Sequence, residues 1–157
     1  MRPLAAGYGA RPAAEADLAA LAAIPGRTPL AALDLCRAAG TLWTGLAGGG
    51  RPVAYLAAGE ADSSLLVLAV EVLPEHRGRG LGTALLGLAL ERARWAFYPA
   101  ASTVTEREAP GQGPFFAAHG FLRLRPEALS PDLRARLDAA LAGGGDPGRL
   151  CAMAKRL

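Results

Sequence analysis

A glycine-rich turn between an apolar strand and a helix decides the fold of this chain: residues 73–85 read Leu-Pro-Glu-His-Arg-Gly-Arg-Gly-Leu-Gly-Thr-Ala-Leu. Glycines at alternate positions remove the Cβ atoms that would keep a ligand away from the backbone. The N–H groups of the first helical turn and the helix dipole then point at whatever lies there. The sequence therefore predicts an anion-binding corner at residues 77–83, which we name the glycine corner.

Two common phosphate-binding motifs do not fit the glycine corner. A P-loop requires Lys followed by Ser or Thr after its last glycine, whereas Gly82 is followed by Thr83 and Ala84. The dinucleotide fingerprint G-x-G-x-x-G fails from either starting glycine, because its last position holds Thr83 or Leu85. A plain strand-to-helix turn is the remaining alternative, but three alternating glycines with two arginines exceed what such a turn requires.

Length and cysteine content bound the class of protein. The 157 residues predict a single domain, 1–157, able to bury about 68–70% of the surface that the unfolded chain exposes. Cys36 and Cys151 match neither a disulfide framework nor a zinc site, which favours a reducing compartment. We therefore expect a cytoplasmic protein without a metal. We also expect the protein to be bacterial.

The charge pattern argues against nucleic acid and membrane partners. The net charge of +3 comes from scattered arginines with a single lysine, Lys155, rather than from a basic block. No stretch approaches the ~18 uninterrupted apolar residues of a membrane span. Local charge at Arg77 and Arg79 is sufficient to attract a small polyanion.

Hydrophobic periodicity predicts an α/β chain. The predicted strands cover residues 7–11, 41–46, 52–58, 64–73, 102–106, 121–124 and 150–154. The predicted helices cover residues 15–23, 29–40, 83–95 and 114–118, and a last helix starts at a Ser130 cap. Thr28 is expected to cap the second helix, with Pro29 at its first position. The strand at 64–73 is apolar throughout, so we expect it at the centre and parallel to 102–106.

Two segments resemble signatures of the GNAT superfamily of N-acetyltransferases. The glycine corner is similar to the family's acetyl-CoA-binding motif, with Arg77, Gly80 and Gly82 at its key positions. Residues 113–121, Gly-Pro-Phe-Phe-Ala-Ala-His-Gly-Phe, resemble the second signature, a short helix followed by Gly-Phe at the next strand. The order of elements also agrees over the whole chain. The resemblance implies an α/β (α+β) fold: a mixed, mostly antiparallel twisted sheet with a central splayed parallel strand pair, flanked by helices.

The resemblance also implies acetyl-CoA as co-substrate. The backbone at the end of the central strand would hydrogen-bond the pantetheine arm, and the amides of the glycine corner would hold the pyrophosphate. Two aromatic residues of the second signature would flank the other side of the cofactor. The expected cofactor-binding residues are Val72, Leu73, Arg77, Gly78, Arg79, Gly80, Leu81, Gly82, Thr83, Gln112, Phe115 and Phe116.

Catalytic candidates come from the two central strands. Glu71 is the only charged residue in the apolar strand 64–73, so burial would raise the pKa of its carboxyl toward that of a useful general base. A structural role as the partner of an arginine is an alternative of equal weight. Glu106, at the end of the next strand, is the second candidate. The family commonly has a thiolate-protonating tyrosine at the position of Phe116, which cannot donate a proton, and Tyr98 is a conceivable substitute.

Two functions remain open from the sequence. The leading hypothesis is direct transfer of the acetyl group from acetyl-CoA to a primary amine of a small molecule or peptide. The alternative, motivated by Phe116, is an acyl-CoA-binding regulatory or catalytically degenerate domain. Acceptor specificity is expected to reside in the first two helices, the loop before the last strand and, if the chain forms a homodimer, a partner subunit.

Overall fold

The computed structural model describes residues 3–157, and within this range it contains seven strands and five α-helices. The strands are β1 (Gly9–Pro12), β2 (Leu42–Ala47), β3 (Arg51–Ala61), β4 (Ser64–Val72), β5 (Ala100–Glu106), β6 (Leu122–Arg123) and β7 (Leu150–Arg156). The helices are α1 (Leu18–Ala22), α2 (Leu30–Ala38), α3 (Leu81–Trp95), α4 (Gly113–Ala118) and α5 (Pro131–Ala142). No helix in the described range is long and apolar enough to cross a membrane.

The strands form one mixed sheet in the order β1-β2-β3-β4-β5-β7-β6. Strands β4 and β5 are parallel, with Leu65, Leu66 and Val67 opposite Ala101, Ser102 and Thr103. The pairs β1–β2, β2–β3, β5–β7 and β6–β7 are antiparallel. The predicted mixed sheet with its central parallel pair and flanking helices is therefore confirmed.

The described residues divide into two compact units, and the first comprises residues 3–59 and 68–92. It contains β1, β2, most of β3, the C-terminal part of β4, the glycine corner, and α1, α2 and most of α3. Its apolar core draws on both short helices and on β2 and β3, and its buried members are Leu21, Ile24, Leu33, Cys36, Leu42, Tyr55 and Ala57. This unit carries every site residue predicted between Glu71 and Thr83.

The second unit comprises residues 60–67 and 93–157. Strand β5 pairs with β7 over its whole length, from Ala100 opposite Arg156 to Glu106 opposite Leu150. Helix α5 begins where the sequence predicts, because the Ser130 hydroxyl accepts a hydrogen bond from the Leu133 N–H. This unit carries the remaining predicted site residues.

The prediction for the start of α2 is wrong. Pro29 is the N-cap residue, Leu30 is the first helical residue, and Thr28 lies outside the helix. The Thr28 side chain instead lies close enough to Tyr55 of β3 to affect the pKa of that phenol. The hydroxyl that local sequence assigns to the cap thus lies beside a side chain that is distant in sequence.

Helix α3 starts two residues earlier than predicted. Its first backbone hydrogen bond runs from the Ala84 N–H to the Gly80 carbonyl, so Leu81 and Gly82 are already helical. Several strand boundaries also differ from the predictions: β1 is shifted, β3, β5 and β7 are longer, and β6 is shorter. Residues 15–23 form a 3-10 turn followed by α1 rather than one α-helix.

Candidate active site

The backbone of the glycine corner requires glycine at two positions. A 3-10 turn at Pro74–His76 ends β4, and the chain then adopts positive φ at Gly78 (71°) and Gly80 (86°) before α3 begins. Gly82 differs from them, because it lies in the first turn of α3. The first two glycines are therefore set by backbone conformation, whereas a side chain at position 82 would project from the helix N-terminus.

Two arginines supply positive charge at this helix N-terminus. Arg77 and Arg79 are exposed, and the Arg77 Nε donates a 3.3 Å hydrogen bond to the Val72 carbonyl at the end of β4. Each guanidinium is an always-charged donor that can bind a phosphate through two N–H groups. The corner therefore combines N-terminal helix amides with two cationic side chains.

At the end of β4, one edge of the backbone is hydrogen-bonded to β3. The Leu73 N–H donates to the Val53 carbonyl of β3 at 2.9 Å, and the Leu73 carbonyl accepts from the His76 N–H at 2.9 Å. Because successive N–H groups of a strand point to opposite edges, the Val72 N–H points away from β3. Of the two residues expected to bind pantetheine, Val72 thus presents its N–H at the opposite edge.

Glu71 lies half-buried beside residues from two distant segments. Burial raises the pKa of its carboxyl, and the positive charge of Arg77 opposes that shift. No salt bridge formed among residues 3–157 includes Glu71. The predicted structural alternative, a direct arginine partner, therefore has no ion pair in the described part of the chain.

Gly26, in the loop between α1 and α2, approaches this carboxylate closely. A Cβ on Gly26 would lie 3.0 Å from the Tyr55 hydroxyl and 3.1 Å from the Glu71 Cγ. Burial raises the pKa of the Tyr55 phenol; the nearby Thr28 side chain opposes the shift and the charge of Glu71 adds to it. Glu71, Tyr55 and Thr28 thus form a polar cluster beneath a loop that has no space for a side chain at Gly26.

The predicted residues of the second unit have other partners. Glu106 forms a 2.8 Å salt bridge with Arg149, and Gln112 is the N-cap residue of α4. Phe116 is only 1% exposed and packs edge-on against Phe121, with ring centroids 5.2 Å apart. The ring at the family's usual tyrosine position is therefore part of this unit's core.

The rest of the second signature surrounds Phe115, which is partly exposed. Its ring packs against that of His119, with centroids 4.5 Å apart. The His119 Nδ1 donates to the Phe115 carbonyl at 2.7 Å, so the imidazole proton lies on that nitrogen. Tyr98, the conceivable substitute acid, donates a 2.6 Å hydrogen bond to the Glu60 carboxylate.

Sequence reasoning missed the neighbours of Glu71. Tyr55, Thr28 and Gly26 come from a strand and a loop far away in sequence, and none belongs to a recognisable motif. The one available signal was Tyr55 itself, a phenol within an otherwise apolar strand segment. A hydroxyl buried at such a position needs a polar partner.

Similarity to known proteins bears on the family and the fold of this chain. The family model described as "Acetyltransferase (GNAT) family" matches residues 15–121, more than half of the chain. The fold is similar to that of the N-acetylglutamate synthase from Neisseria gonorrhoeae, solved with coenzyme A and N-acetyl-glutamate (TM-score 0.75, 17% identity). That match covers 96% of this chain but only 35% of the synthase, so the present chain spans about a third of that protein.

Two further structures are matched over nearly their full length. One is Rv2747 from Mycobacterium tuberculosis, in complex with CoA and NLQ (TM-score 0.75, 20% identity, 95% of this chain and 99% of that one). The other is Naa50 from Arabidopsis thaliana, in complex with the bisubstrate analogue CoA-Ac-MVNAL (TM-score 0.67, 14% identity, 96% and 99%). At these identities the likeness establishes the fold, and the family model establishes the membership. This chain belongs to the GNAT acetyltransferase family.

Proposed function

We propose that this chain, as one domain of residues 1–157, transfers the acetyl group of acetyl-CoA directly to a primary amine. The observation that carries the proposal is the glycine corner: positive φ at Gly78 and Gly80, the N-terminus of α3, and two exposed arginines. This arrangement suits a pyrophosphate, because helix-terminal amides and guanidinium groups both bind phosphate oxygens. The Val72 N–H is the proposed backbone donor for the pantetheine arm.

The reaction needs a deprotonated amine. Its nitrogen attacks the thioester carbonyl carbon, the C–S bond breaks, and CoA leaves as a thiolate while the new amide nitrogen loses its extra proton. Glu71 is the proposed acceptor of that proton, because burial raises the pKa of its carboxyl. Glu106 is the second candidate, although its carboxylate already pairs with Arg149.

Phe116 does not prevent this chemistry. A thiol has an ordinary pKa of about 8.5, so its thiolate is a tolerable leaving group at neutral pH. Loss of a general acid typically costs about 10²–10⁴ in rate. We therefore expect turnover without a tyrosine at this position, at a lower rate than a protonated leaving group would allow.

The matched structures suggest the first amines to test as acceptors. The gonococcal synthase was solved with an acetylated amino acid and the plant enzyme with a peptide-based analogue. Release of CoA should therefore be measured with amino acids and peptide N-termini. Polyamines and aminoglycosides complete the panel as other classes of primary amine. We place the protein in the cytoplasm, a proposal supported by Cys36 and Cys151, which are buried and unpaired.

One experiment separates the proposed function from its alternative. Binding of acetyl-CoA is measured by calorimetry, and CoA release is then followed over the amine panel with wild type, Glu71→Gln and Glu106→Gln. Turnover that falls by about 10²–10⁴ in Glu71→Gln supports the proposal. Binding without turnover of any amine supports the regulatory or degenerate domain, which the buried Phe116 favours. Failure to bind acetyl-CoA contradicts both.

A further inference from the structure

The segment Pro3–Tyr8, which we name the N-terminal strap, lies directly on the glycine corner. The Ala5 N–H donates a 2.8 Å hydrogen bond to the Arg79 carbonyl. A Cβ on Gly80 would lie 2.4 Å from the Pro3 carbonyl oxygen and 3.0 Å from the Leu4 Cα. Gly80 is thus required twice, once by its φ of 86° and once by the proximity of the strap.

The strap is anchored a second time at His76, the residue just before the corner. The Tyr8 hydroxyl and the His76 Nδ1 are 2.9 Å apart, and an Arg51 Nη2 lies 3.1 Å from the other ring nitrogen, Nε2. A guanidinium can only donate, so the Nε2 accepts and the proton of the neutral imidazole lies on the Nδ1. The Nδ1–H therefore donates to the Tyr8 oxygen.

The strap also has a defined conformation of its own. The Tyr8 N–H donates to the Ala5 carbonyl at 3.2 Å, and Gly7 has φ 82° while Ala6 is not at positive φ. These features are those of a type II turn, with Ala6 and Gly7 at its central positions. Strand β1 follows at once, and its Gly9 pairs with Leu46 of β2. The strap therefore connects the sheet to the corner through a tight turn.

The hydrogen bond from Ala5 has a consequence on the other face of the corner. The carbonyl of Arg79 and the N–H of Gly80 belong to one planar trans peptide unit, so they point in opposite directions. When the strap holds the carbonyl, it also aims the Gly80 N–H away from the strap. Preorganised donors bind an anion better than donors that must be oriented on binding.

We propose that the N-terminal strap is a positioning element of the acetyl-CoA site, which fixes the Arg79–Gly80 peptide so that its N–H faces the pyrophosphate. The inference rests on the proposed function, because it assumes that the corner holds acetyl-CoA. It assigns roles to Ala5 and Tyr8, neither of which belongs to the glycine motif. Binding is reciprocal by linkage, so acetyl-CoA should also stabilise the strap.

The test removes one N–H from the strap. Ala5→Pro deletes the donor to Arg79, whereas Ala6→Pro is the matched control, since proline is favoured at that position of a type II turn. Calorimetry with acetyl-CoA should give an affinity about tenfold lower for Ala5→Pro and one within about twofold of wild type for Ala6→Pro. Ala5→Gly keeps the N–H and should bind like wild type.

Wild-type protein supplies a second readout that does not depend on the folding of a variant. Acetyl-CoA should slow amide hydrogen exchange at Ala5, whose N–H is held by the corner. Equal affinities of Ala5→Pro and Ala6→Pro, or unchanged exchange at Ala5 in the presence of acetyl-CoA, would overturn the inference while leaving the proposed function intact. A wild-type protein that does not bind acetyl-CoA would refute the proposed function itself.

Discussion

Replacing Gly80 with alanine tests two physical demands on the glycine corner at once. The residue has φ 86°, a region in which an L-residue costs about 1–2 kcal/mol. The new Cβ would also stand 2.4 Å from the Pro3 carbonyl oxygen, a distance that two such atoms cannot keep. The strap must therefore move, and its hydrogen bond to Arg79 is lost at a cost of about 1 kcal/mol.

A second glycine with positive φ separates the cost of displacing the strap from the cost of backbone strain. Gly40 follows α2 with φ 72°, but no atom lies within 4 Å of the position that its Cβ would take. Gly40→Ala should therefore lower the free energy of unfolding by about 1–2 kcal/mol, from backbone strain alone. Gly80→Ala should lower it by about 2–3 kcal/mol, because strain and displacement of the strap add.

The assay is urea unfolding of the two variants and wild type, followed by calorimetric titration with acetyl-CoA. Gly80→Ala should also lose about tenfold or more in affinity, whereas Gly40→Ala should keep the wild-type value, because Gly40 is not part of the corner. If Gly80→Ala is no less stable than Gly40→Ala and binds acetyl-CoA as tightly as wild type, the contact between strap and corner is refuted.

Two further predictions concern Glu71 and the end of α3. Because burial raises the pKa of Glu71, the folded state holds that proton more tightly than the unfolded state does, and its ionisation costs stability as the pH rises. Glu71→Gln should therefore be more stable than wild type at neutral pH and should lose that advantage on acidification. In the wild-type enzyme, kcat/KM should rise with pH through a pKa above the ordinary glutamate range. A pH-independent stability difference, or an unchanged pH–rate profile in Glu71→Gln, would contradict this role. Phe97 has φ 59° and is 91% exposed, so Phe97→Gly should raise the free energy of unfolding by about 1 kcal/mol in urea, and a loss of stability would show that the ring has a buried role.

The glycine corner could be predicted because its determinants are local. Glycines that need positive φ, a following apolar helix and an apolar strand before them all lie within residues 64–95. The end of α2 was equally legible: Gly40 stands where the Thr41 N–H bonds the Cys36 carbonyl, as glycine does at many helix ends. Helix α3 ends with the corresponding hydrogen bond, from the Tyr98 N–H to the Ala93 carbonyl. Phe97 occupies the position that Gly40 has after α2, and no sequence rule predicts a phenylalanine with positive φ there.

The surroundings of Glu71 could not be predicted, because they depend on approach between distant segments. The close contact at Gly26 and the proximity of Thr28 to the Tyr55 phenol exist only when the loop after α1 lies over β3 and β4. Thr28 was predicted as a helix cap because local sequence rules do not include such distant neighbours. The strap was invisible in the sequence as well, since a backbone N–H such as that of Ala5 has no residue signature.

The central claim is that the glycine corner binds the pyrophosphate of acetyl-CoA, and calorimetric titration of two corner variants tests it most directly. Arg77→Ala removes an exposed cation, and Gly82→Val places a branched side chain in the first turn of α3, while Arg92→Ala removes an exposed arginine far along the same helix as a control. We predict at least a tenfold loss of affinity in each corner variant, with unchanged circular dichroism and an unchanged affinity in Arg92→Ala. Wild-type affinity in both corner variants would contradict the account.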